Sequence, residues 1–188
     1  LKKGLKDLKK IEKELVNILN DLSGIALISN YSLNFPIIDN KEDIEKINLL
    51  ATNIPIFMTG NFSVALHDFI QTIKFYAKKI SLDTDIQIVE YHHNQKKDAP
   101  SGTALMIKDA LLDANDAINR DKVTICSIRG GNIFGEHEVI FANCKDEVVT
   151  FKHQVSSREP FADGAIEVSK WIINQTNGLY NMDDFCQG

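Results

Sequence analysis

The stretch EYHHNQKKDAPSGTAL, from Glu90 to Leu105, decides the fold around it and the chemistry that it can carry. Just before it, Ile86 and Ile88 alternate with polar residues, which is typical of a half-buried strand. Near its end, Ser101 has the residue type preferred at a helix N-cap, and apolar residues follow from Thr103 at helical spacing. The sequence therefore predicts a strand, a polar connection and a helix.

Two adjacent histidines lie where the predicted strand ends. Neighbouring side chains on a strand point to opposite faces, so one of His92 and His93 can face a cleft while the other braces it. A histidine can deliver or accept a proton near neutral pH, and Lys96 can supply positive charge or a second proton. The stretch thus has the residue types of a general acid.

The start of the predicted helix has the features of an anion site. Backbone N–H groups in the first helical turn lack intrahelical partners, and Gly102 lets a carboxylate approach the backbone beside Thr103. Lys96 would add charge-assisted hydrogen bonds. We therefore expect a site that holds a small carboxylate and protonates a group beside it. A helix capped by Ser101 needs no ligand, however, and Lys97 can equally belong to a solvated loop.

A metal site is the other use of a histidine pair. Neither His nor Cys recurs at a ligand spacing within the stretch, and the three cysteines include no C-x-x-C pair. We expect no metal and no disulfide framework.

Composition excludes several classes of function. The 188 residues carry a net charge of −5 with lysines scattered among the acids, which argues against a nucleic-acid partner. Apolar runs are shorter than the roughly 18 residues of a membrane span, and no signal peptide is recognisable. We expect a cytoplasmic protein without a membrane partner.

The order of predicted helices and strands changes near Asp83. Before it, amphipathic helices at residues 1–20, 41–50 and 61–80 alternate with apolar runs at residues 25–29, 35–38 and 54–58, which favours a layered α/β unit with a mainly parallel sheet. After it, three strand candidates follow one another, which favours a mixed or antiparallel sheet. A turn is predicted at Phe161-Ala-Asp-Gly, and it leads into a last helix from Ala165 to about Gln175. We predict one domain of residues 1–82, joined by residues 165–188, and another of residues 83–164.

The opening stretch resembles the signature of the dihydrodipicolinate reductase family, Glu-x-His-His-x-x-Lys-x-Asp-Ala-Pro-Ser-Gly-Thr-Ala, at every fixed position. Three more stretches are similar to the family: GNFSVAL at residues 60–66, SIRGGNIFGEHEVIFA at residues 127–142 and HQVSSREPFADGAIEVSKWI at residues 153–172. The resemblance implies a Rossmann-like cofactor domain, reduced in size, followed by an α+β substrate domain with a mixed sheet. It also implies a homotetramer assembled through that sheet.

The resemblance implies a role for each matching residue. His92 would donate a proton, and Lys96 would assist protonation and grip the substrate, a small cyclic dicarboxylate. The substrate carboxylates would be bound by His93, Gly102 and Thr103. The reaction would be NADPH- or NADH-dependent reduction of 4-hydroxy-tetrahydrodipicolinate, in which a hydroxyl is lost. The nicotinamide side of the cofactor would meet Thr59, Gly60, Asn61 and Phe62, although an aromatic residue after a strand is more often part of the core. For Arg129, Glu136, His137 and residues 156–158 we favour structural roles.

The cofactor region departs from the family. A Gly-x-x-Gly-x-x-Gly turn is missing, and its positions would fall at Lys6, Lys9 and Glu12. A Gly-Thr-Thr-Gly loop is missing as well, and the connection before residue 127 is short. These differences leave two main hypotheses: a reductase from which segments are omitted, or a dicarboxylate-binding or assembly protein that has lost hydride chemistry. Another nicotinamide oxidoreductase is a third. The choice between NADH and NADPH, and the oligomeric state, are not decided by the sequence.

Overall fold

The computed structural model describes residues 26–29, 41–81 and 83–187. The helix predicted at residues 1–20, the strand predicted at residues 35–38 and the aligned positions Lys6, Lys9 and Glu12 lie outside the described residues. The described residues divide into two compact units, one of residues 26–29, 41–59 and 166–187, the other of residues 60–81 and 83–165.

The first unit contains a parallel three-stranded sheet. Its strands are β1 (Ala26–Ser29), β2 (Pro55–Thr59) and β7 (Gly178–Tyr180), in the order β1-β2-β7. Helix α1 (Lys41–Ala51) precedes β2, and helix α5 (Met182–Gln187) follows β7. Ile47 and Ala51 pack on Ile56 in a small core, because the apolar face of α1 must be buried against the sheet. A parallel sheet with a helix between its first two strands is the α/β arrangement that the sequence predicted.

The second unit contains a mixed four-stranded sheet covered on one face by two helices. Its elements are α2 (Val64–Ala77), β3 (Asp85–His92), α3 (Gly102–Ala114), β4 (Val123–Arg129), β5 (Gly135–Ala142) and β6 (Val148–Val155), with a 3-10 turn at Arg120–Lys122. The strand order is β4-β3-β5-β6, in which β3 runs parallel to β4 and antiparallel to β5. The mixed sheet expected after Asp83 is confirmed.

The core of this unit lies between the sheet and the helices. Ile86 and Ile88 of β3 are fully buried against Ile73 of α2 and Ile107 and Leu111 of α3. The alternation of β3 puts its odd-numbered residues on the opposite face, where Asp85 and Gln87 are exposed. One face of β3 therefore faces the core. Along this face the buried residues change from apolar, at Ile86 and Ile88, to polar, at Glu90 and His92.

The last long helix, α4, runs from Glu159 to Ile172 and thus begins six residues before the predicted start at Ala165. The prediction of a turn at Phe161-Ala-Asp-Gly was wrong, because these residues belong to the helix and Gly164 allows close packing of the helix on the backbone of Phe62. A Cβ atom at Gly164 would lie 1.9 Å from the carbonyl oxygen of Phe62.

The boundary between the units differs from the predicted one. The division falls between Thr59 and Gly60 and again between Ala165 and Ile166, within α4. Helix α2 belongs with the four-stranded sheet because its buried residues Leu66 and Ile70 are part of that core. The cofactor and substrate roles given to the two domains stay predictions. Among the described residues, every helix is too short or too polar to cross a bilayer.

Candidate active site

The carboxyl end of β3 places two ionisable side chains on the core face of the sheet. Glu90 and His92 continue the buried register of Ile86 and Ile88, and they are 0% and 5% exposed. A charged residue is almost never fully buried unless it is paired, so Glu90 marks a site that the surrounding residues must support.

Glu90 accepts hydrogen bonds from three directions. Nη2 of Arg129 donates to its Oε1 at 2.7 Å, the backbone N–H of Ser101 donates to the same oxygen at 3.3 Å, and Nδ1 of His92 contacts Oε2. Burial alone would raise the pKa of Glu90, but the hydrogen bonds from His92, Arg129 and Ser127 lower it well below the ordinary value. Glu90 is therefore ionised and can only accept hydrogen bonds, which assigns the proton of the pair to Nδ1 of His92.

The ring of His92 is held in a confined space. A Cβ atom at Gly135 would lie 3.3 Å from Nε2 of His92 and 3.4 Å from a methyl group of Val155, so glycine at this position leaves room for the imidazole. The ring meets that of His137 edge to face, with 5.3 Å between centroids. Packing and the Glu90 hydrogen bond together fix the orientation of His92.

His137 is a neutral neighbour of this pair. Burial, with smaller contributions from His92, His153 and Lys96, lowers its pKa to about 3. Its Nε2 lies 3.3 Å from Oγ of Ser101, and among the described residues its Nδ1 has no hydrogen-bond partner. His137 thus lines the buried side of the site without adding charge at neutral pH.

The first turn of α3 has the geometry expected of an anion site. Oγ of Ser101 accepts from the backbone N–H of Ala104 at 3.2 Å, which confirms the N-cap. Gly102 is exposed, and a Cβ atom there would meet nothing within 4 Å, whereas Thr103 is buried. Open space beside Gly102 lets an anionic group reach the helix N-terminus.

Lys96 lies in the connection between β3 and α3. Its Nζ is 2.8 Å from Oδ2 of Asp98, and its side chain is only 11% exposed. Nη2 of Arg129 donates to the backbone carbonyl of Asp98 at 2.7 Å. The guanidinium of Arg129 therefore binds both Glu90 and the connection that carries Lys96.

The remaining predicted site residues lie in different settings. His93 is half-buried in the same connection. Thr59, at the carboxyl end of β2, belongs to the first unit, and Gly60 to the second, and both are half-buried. Asn61 and Phe62 are buried, and Oδ1 of Asn61 accepts from the backbone N–H of Ser63 at 2.8 Å. Asn61 and Phe62 therefore also have structural roles at the start of α2.

Three of these side chains could together hold a metal ion. Glu90, His92 and His137 each offer a ligand atom within 4.8 Å of the others. The guanidinium of Arg129 already lies against Glu90 and disfavours a second cation there. The expectation of no metal stays a prediction.

Sequence reasoning gave no role to Glu90 and favoured a purely structural one for Arg129 and His137. A signal for Glu90 was present, since the period-two pattern of β3 puts it on the face of Ile86 and Ile88. The partnership of Glu90 with Arg129 depends on the parallel pairing of β3 with β4, in which His92 lies opposite Arg129. That pairing is a long-range feature that the local sequence does not contain.

Comparison with known proteins decides the family. Residues 63–186 match the family described as dihydrodipicolinate reductase, C-terminus. This chain belongs to the dihydrodipicolinate reductase family. A 4-hydroxy-tetrahydrodipicolinate reductase from Staphylococcus haemolyticus is 40% identical over 154 residues, which cover 75% of this chain and 63% of the relative. One from Clostridium novyi is 39% identical over 178 residues, covering 88% of this chain and 67% of the relative.

The fold of the family is also recognisable at low sequence identity. A dipicolinate-bound dihydrodipicolinate reductase from Paenisporosarcina sp. TG-14 matches with a TM-score of 0.66 at 19% identity, covering 84% of this chain and 62% of that one. The chain spans about three fifths of the length of several of the curated reductases it matches.

Proposed function

We propose that this chain carries the substrate-binding and proton-donating part of an NAD(P)H-dependent 4-hydroxy-tetrahydrodipicolinate reductase of lysine and diaminopimelate biosynthesis. The observation that carries the proposal is a buried histidine held by a carboxylate, with a lysine nearby and an open helix N-terminus at the end of the same connection. This combination suits a substrate that is dianionic and must be protonated.

Recognition of the substrate would rest on the connection from β3 to α3. The backbone N–H groups of Gly102 and Thr103 belong to the first turn of α3, where helix geometry leaves donors without intrahelical partners. Lys96 adds a positive charge that is mostly shielded from water, which strengthens its attraction to a carboxylate. His93 would add a donor from the same connection. The dicarboxylate bound in the Paenisporosarcina reductase supports this class of ligand.

Proton delivery would fall to His92. Because Nδ1 donates to Glu90, Nε2 is the nitrogen that would transfer a proton to the substrate, from a ring that carries a proton on both nitrogens and is left in the Nδ1–H form. A reduced nicotinamide, when bound, supplies the hydride. The net reaction adds a hydride and a proton to the substrate and releases water, so the product has one oxygen atom fewer than the substrate: a hydroxyl group is lost and a hydrogen atom is gained.

Cofactor binding is supported by the location of the predicted residues. Nucleotides bind outside the carboxyl ends of parallel strands, and Thr59 ends a strand that is parallel to both of its neighbours. Thr59 and Gly60, being half-buried, suit a cofactor-facing position better than Asn61 and Phe62, whose side chains are buried. The positions at which the family has its glycine-rich turn, Lys6, Lys9 and Glu12 in this chain, lie outside the described residues.

A homotetramer in the cytoplasm completes the proposal. The sheet face opposite the helices presents exposed side chains on β4 and β6, among them Cys126, Ile128 and Val148. Ile128 and Val148 are 39% and 63% exposed, which suits a surface covered by another copy. Sedimentation of the wild-type chain and of Ile128→Asp tests this, with tetramers expected only for the wild type. A wild-type monomer would contradict it.

Calorimetric titration tests the function. The full chain is titrated with NADPH and NADH, each with and without pyridine-2,6-dicarboxylate, a planar analogue of the substrate. The proposal expects binding of both a cofactor and the dicarboxylate. Dicarboxylate binding without either cofactor would instead favour a binding or assembly protein that has lost hydride chemistry, and absence of both would contradict the family function for this chain.

A further inference from the structure

The Glu90 network, defined as Glu90, His92, Ser101, Arg129 and the carbonyl of Asp98, joins three separate parts of the site through one carboxylate. Glu90 accepts from the His92 ring, from the backbone of Ser101 at the N-cap of α3, and from Arg129, whose same nitrogen donates to Asp98. Asp98 in turn pairs with Lys96 at 2.8 Å. The proton donor, the anion site and the lysine are thus all connected to one side chain.

A purely structural carboxylate would not need this arrangement. Glu90 is 0% exposed, and a buried carboxylate is costly unless each oxygen has donors. An apolar residue would fill the same place on the core face, as Ile86 and Ile88 do two and four residues earlier. Arg129 also has other acceptors, since its Nη1 donates to the carbonyl of Ile128 at 2.9 Å. The distinctive property of Glu90 is therefore what it does to its neighbours.

We propose that Glu90 is a positioning residue that fixes the Nδ1–H form of His92 and holds the lysine-bearing connection and the first turn of α3 in register with it. This inference rests on the proposed function, in which His92 donates a proton from Nε2. Without the carboxylate, the other neighbours of the ring would determine whether Nδ1 or Nε2 of His92 carries the proton. The ring could also rotate about its χ angles.

Two substitutions at Glu90 separate its two effects. Glu90→Gln keeps the size of the side chain and an oxygen that can accept from Ser101 and Arg129, but its amide N–H group faces Nδ1 of His92. Two donors cannot share that contact, so we expect the imidazole to change to the Nε2–H tautomer, in which Nδ1 accepts from the amide. Glu90→Ala removes every hydrogen bond to the carboxylate. The glutamine variant therefore alters His92 alone, whereas the alanine variant also releases the connection and the helix start.

The test combines kinetics with ¹⁵N NMR of histidine-labelled full chain. For Glu90→Gln we expect kcat to fall about a hundredfold while the affinity for pyridine-2,6-dicarboxylate changes less than about threefold. For Glu90→Ala we expect both to fall. Glu167→Gln is the matched control, because Glu167 is an exposed glutamate on α4 outside the Glu90 network, and it should leave both kcat and the dicarboxylate affinity unchanged.

The NMR measurement reports on His92 directly and does not depend on turnover. Signals are assigned by their loss in His92→Gln. We expect neutral His92 to carry its proton on Nδ1 in the wild type and on Nε2 in Glu90→Gln. The same tautomer in both proteins, or a kcat of Glu90→Gln within about threefold of the wild type, would overturn the inference. Should Glu90→Gln not fold, an Nε2–H tautomer in the wild type would overturn it as well. A wild type without reductase activity but with the Nδ1–H tautomer would contradict the proposed function and leave the placement of the proton by Glu90 supported.

Discussion

Nδ1 of His92 donates a hydrogen bond to the carboxylate of Glu90, which lies two residues earlier on the same face of β3. The direction of the hydrogen bond follows from the lowered pKa of Glu90, because an ionised carboxylate has no proton to give. This pair is what distinguishes the histidine from a core residue that happens to be polar, since the bond leaves Nε2 as the nitrogen available for chemistry.

His92 and Lys96 should respond differently to truncation. We expect His92→Ala to lower kcat by about two to four orders of magnitude with little effect on dicarboxylate affinity, because a proton donor acts in the transition state. Lys96→Ala should damage both, because its charge attracts the bound carboxylates as well. Steady-state kinetics and dicarboxylate titration check this, with Lys170→Ala, exposed on α4, as the control for a lost lysine. Equal and small effects from the two changes would reject the assigned roles.

Gly102 offers a test of the anion site that spares the fold. A methyl group at Gly102 meets nothing within 4 Å, so Gly102→Ala should leave the melting temperature unchanged or slightly higher. In the presence of a ligand, the methyl group should obstruct approach to the helix N-terminus and weaken dicarboxylate binding about tenfold. Asp113→Ala, at an exposed position of the same helix, serves as the control. An unchanged dicarboxylate affinity in Gly102→Ala would show that the anion does not bind at the N-terminus of α3.

Gly164 should be required for folding, in contrast to Gly102. A Cβ atom at Gly164 would lie 1.9 Å from the carbonyl oxygen of Phe62, a distance that only backbone movement can relieve. We expect Gly164→Ala to lower the free energy of unfolding by about 1–3 kcal/mol or more, measured by urea denaturation. Glu167→Ala, exposed on the same helix, should change it by less than about 0.5 kcal/mol. Wild-type stability in Gly164→Ala would show that the contact with Phe62 is relaxed in solution.

Stability should fall on acidification from near pH 6.5. The folded-state pKa of His137 is lowered from 6.5 to about 3, chiefly by burial, so the unfolded state binds more protons between these values. Stability is therefore fully present above pH 6.5 and is lost as the pH falls towards 3. Burial lowers the pKa of His153 as well, and the lowered pKa of Glu90 adds a loss in the same direction below pH 4.5.

Urea denaturation between pH 4.5 and 6.5 isolates the histidines from Glu90. The free energy of unfolding should fall with a slope of up to about 1.4 kcal/mol per pH unit for each histidine, and His137→Asn should show a shallower slope. A slope that is flat or of opposite sign in the wild type would mean that His137 is charged in the folded protein.

The local sequence predicted the elements with clear periodicity and missed those without it. The alternation before Glu90 predicted β3, and the apolar spacing after Thr103 predicted α3. Strand β7 has only three residues and no pattern of its own, because it is defined by pairing with β2. The predicted start of α4 was six residues too late, because Gly164 indicated a turn. In the structure Gly164 lies within α4, where a Cβ atom would come too close to the carbonyl oxygen of Phe62.

The candidate site was predictable in its residue types but not in its connections. The motif predicted a strand, a connection and a helix, and the structure places His92 at the end of β3, Lys96 in the connection and Gly102 at the start of α3. The contacts of Glu90 with Arg129 and of His137 with Ser101 join residues 39 and 36 positions apart, which only the strand pairing brings together. Local patterns cannot supply such contacts, and these are the ones that surround His92 with its buried neighbours.

Turnover of 4-hydroxy-tetrahydrodipicolinate by the full chain is the most direct test of the central claim. The substrate is generated immediately before use, and oxidation of NADPH or NADH is followed by absorbance for the wild type and for His92→Ala. We predict substrate-dependent oxidation of at least one cofactor by the wild type and its near abolition in His92→Ala. Absence of wild-type oxidation with both cofactors, in a folded chain that binds pyridine-2,6-dicarboxylate, would contradict the reductase function and leave a dicarboxylate-binding protein.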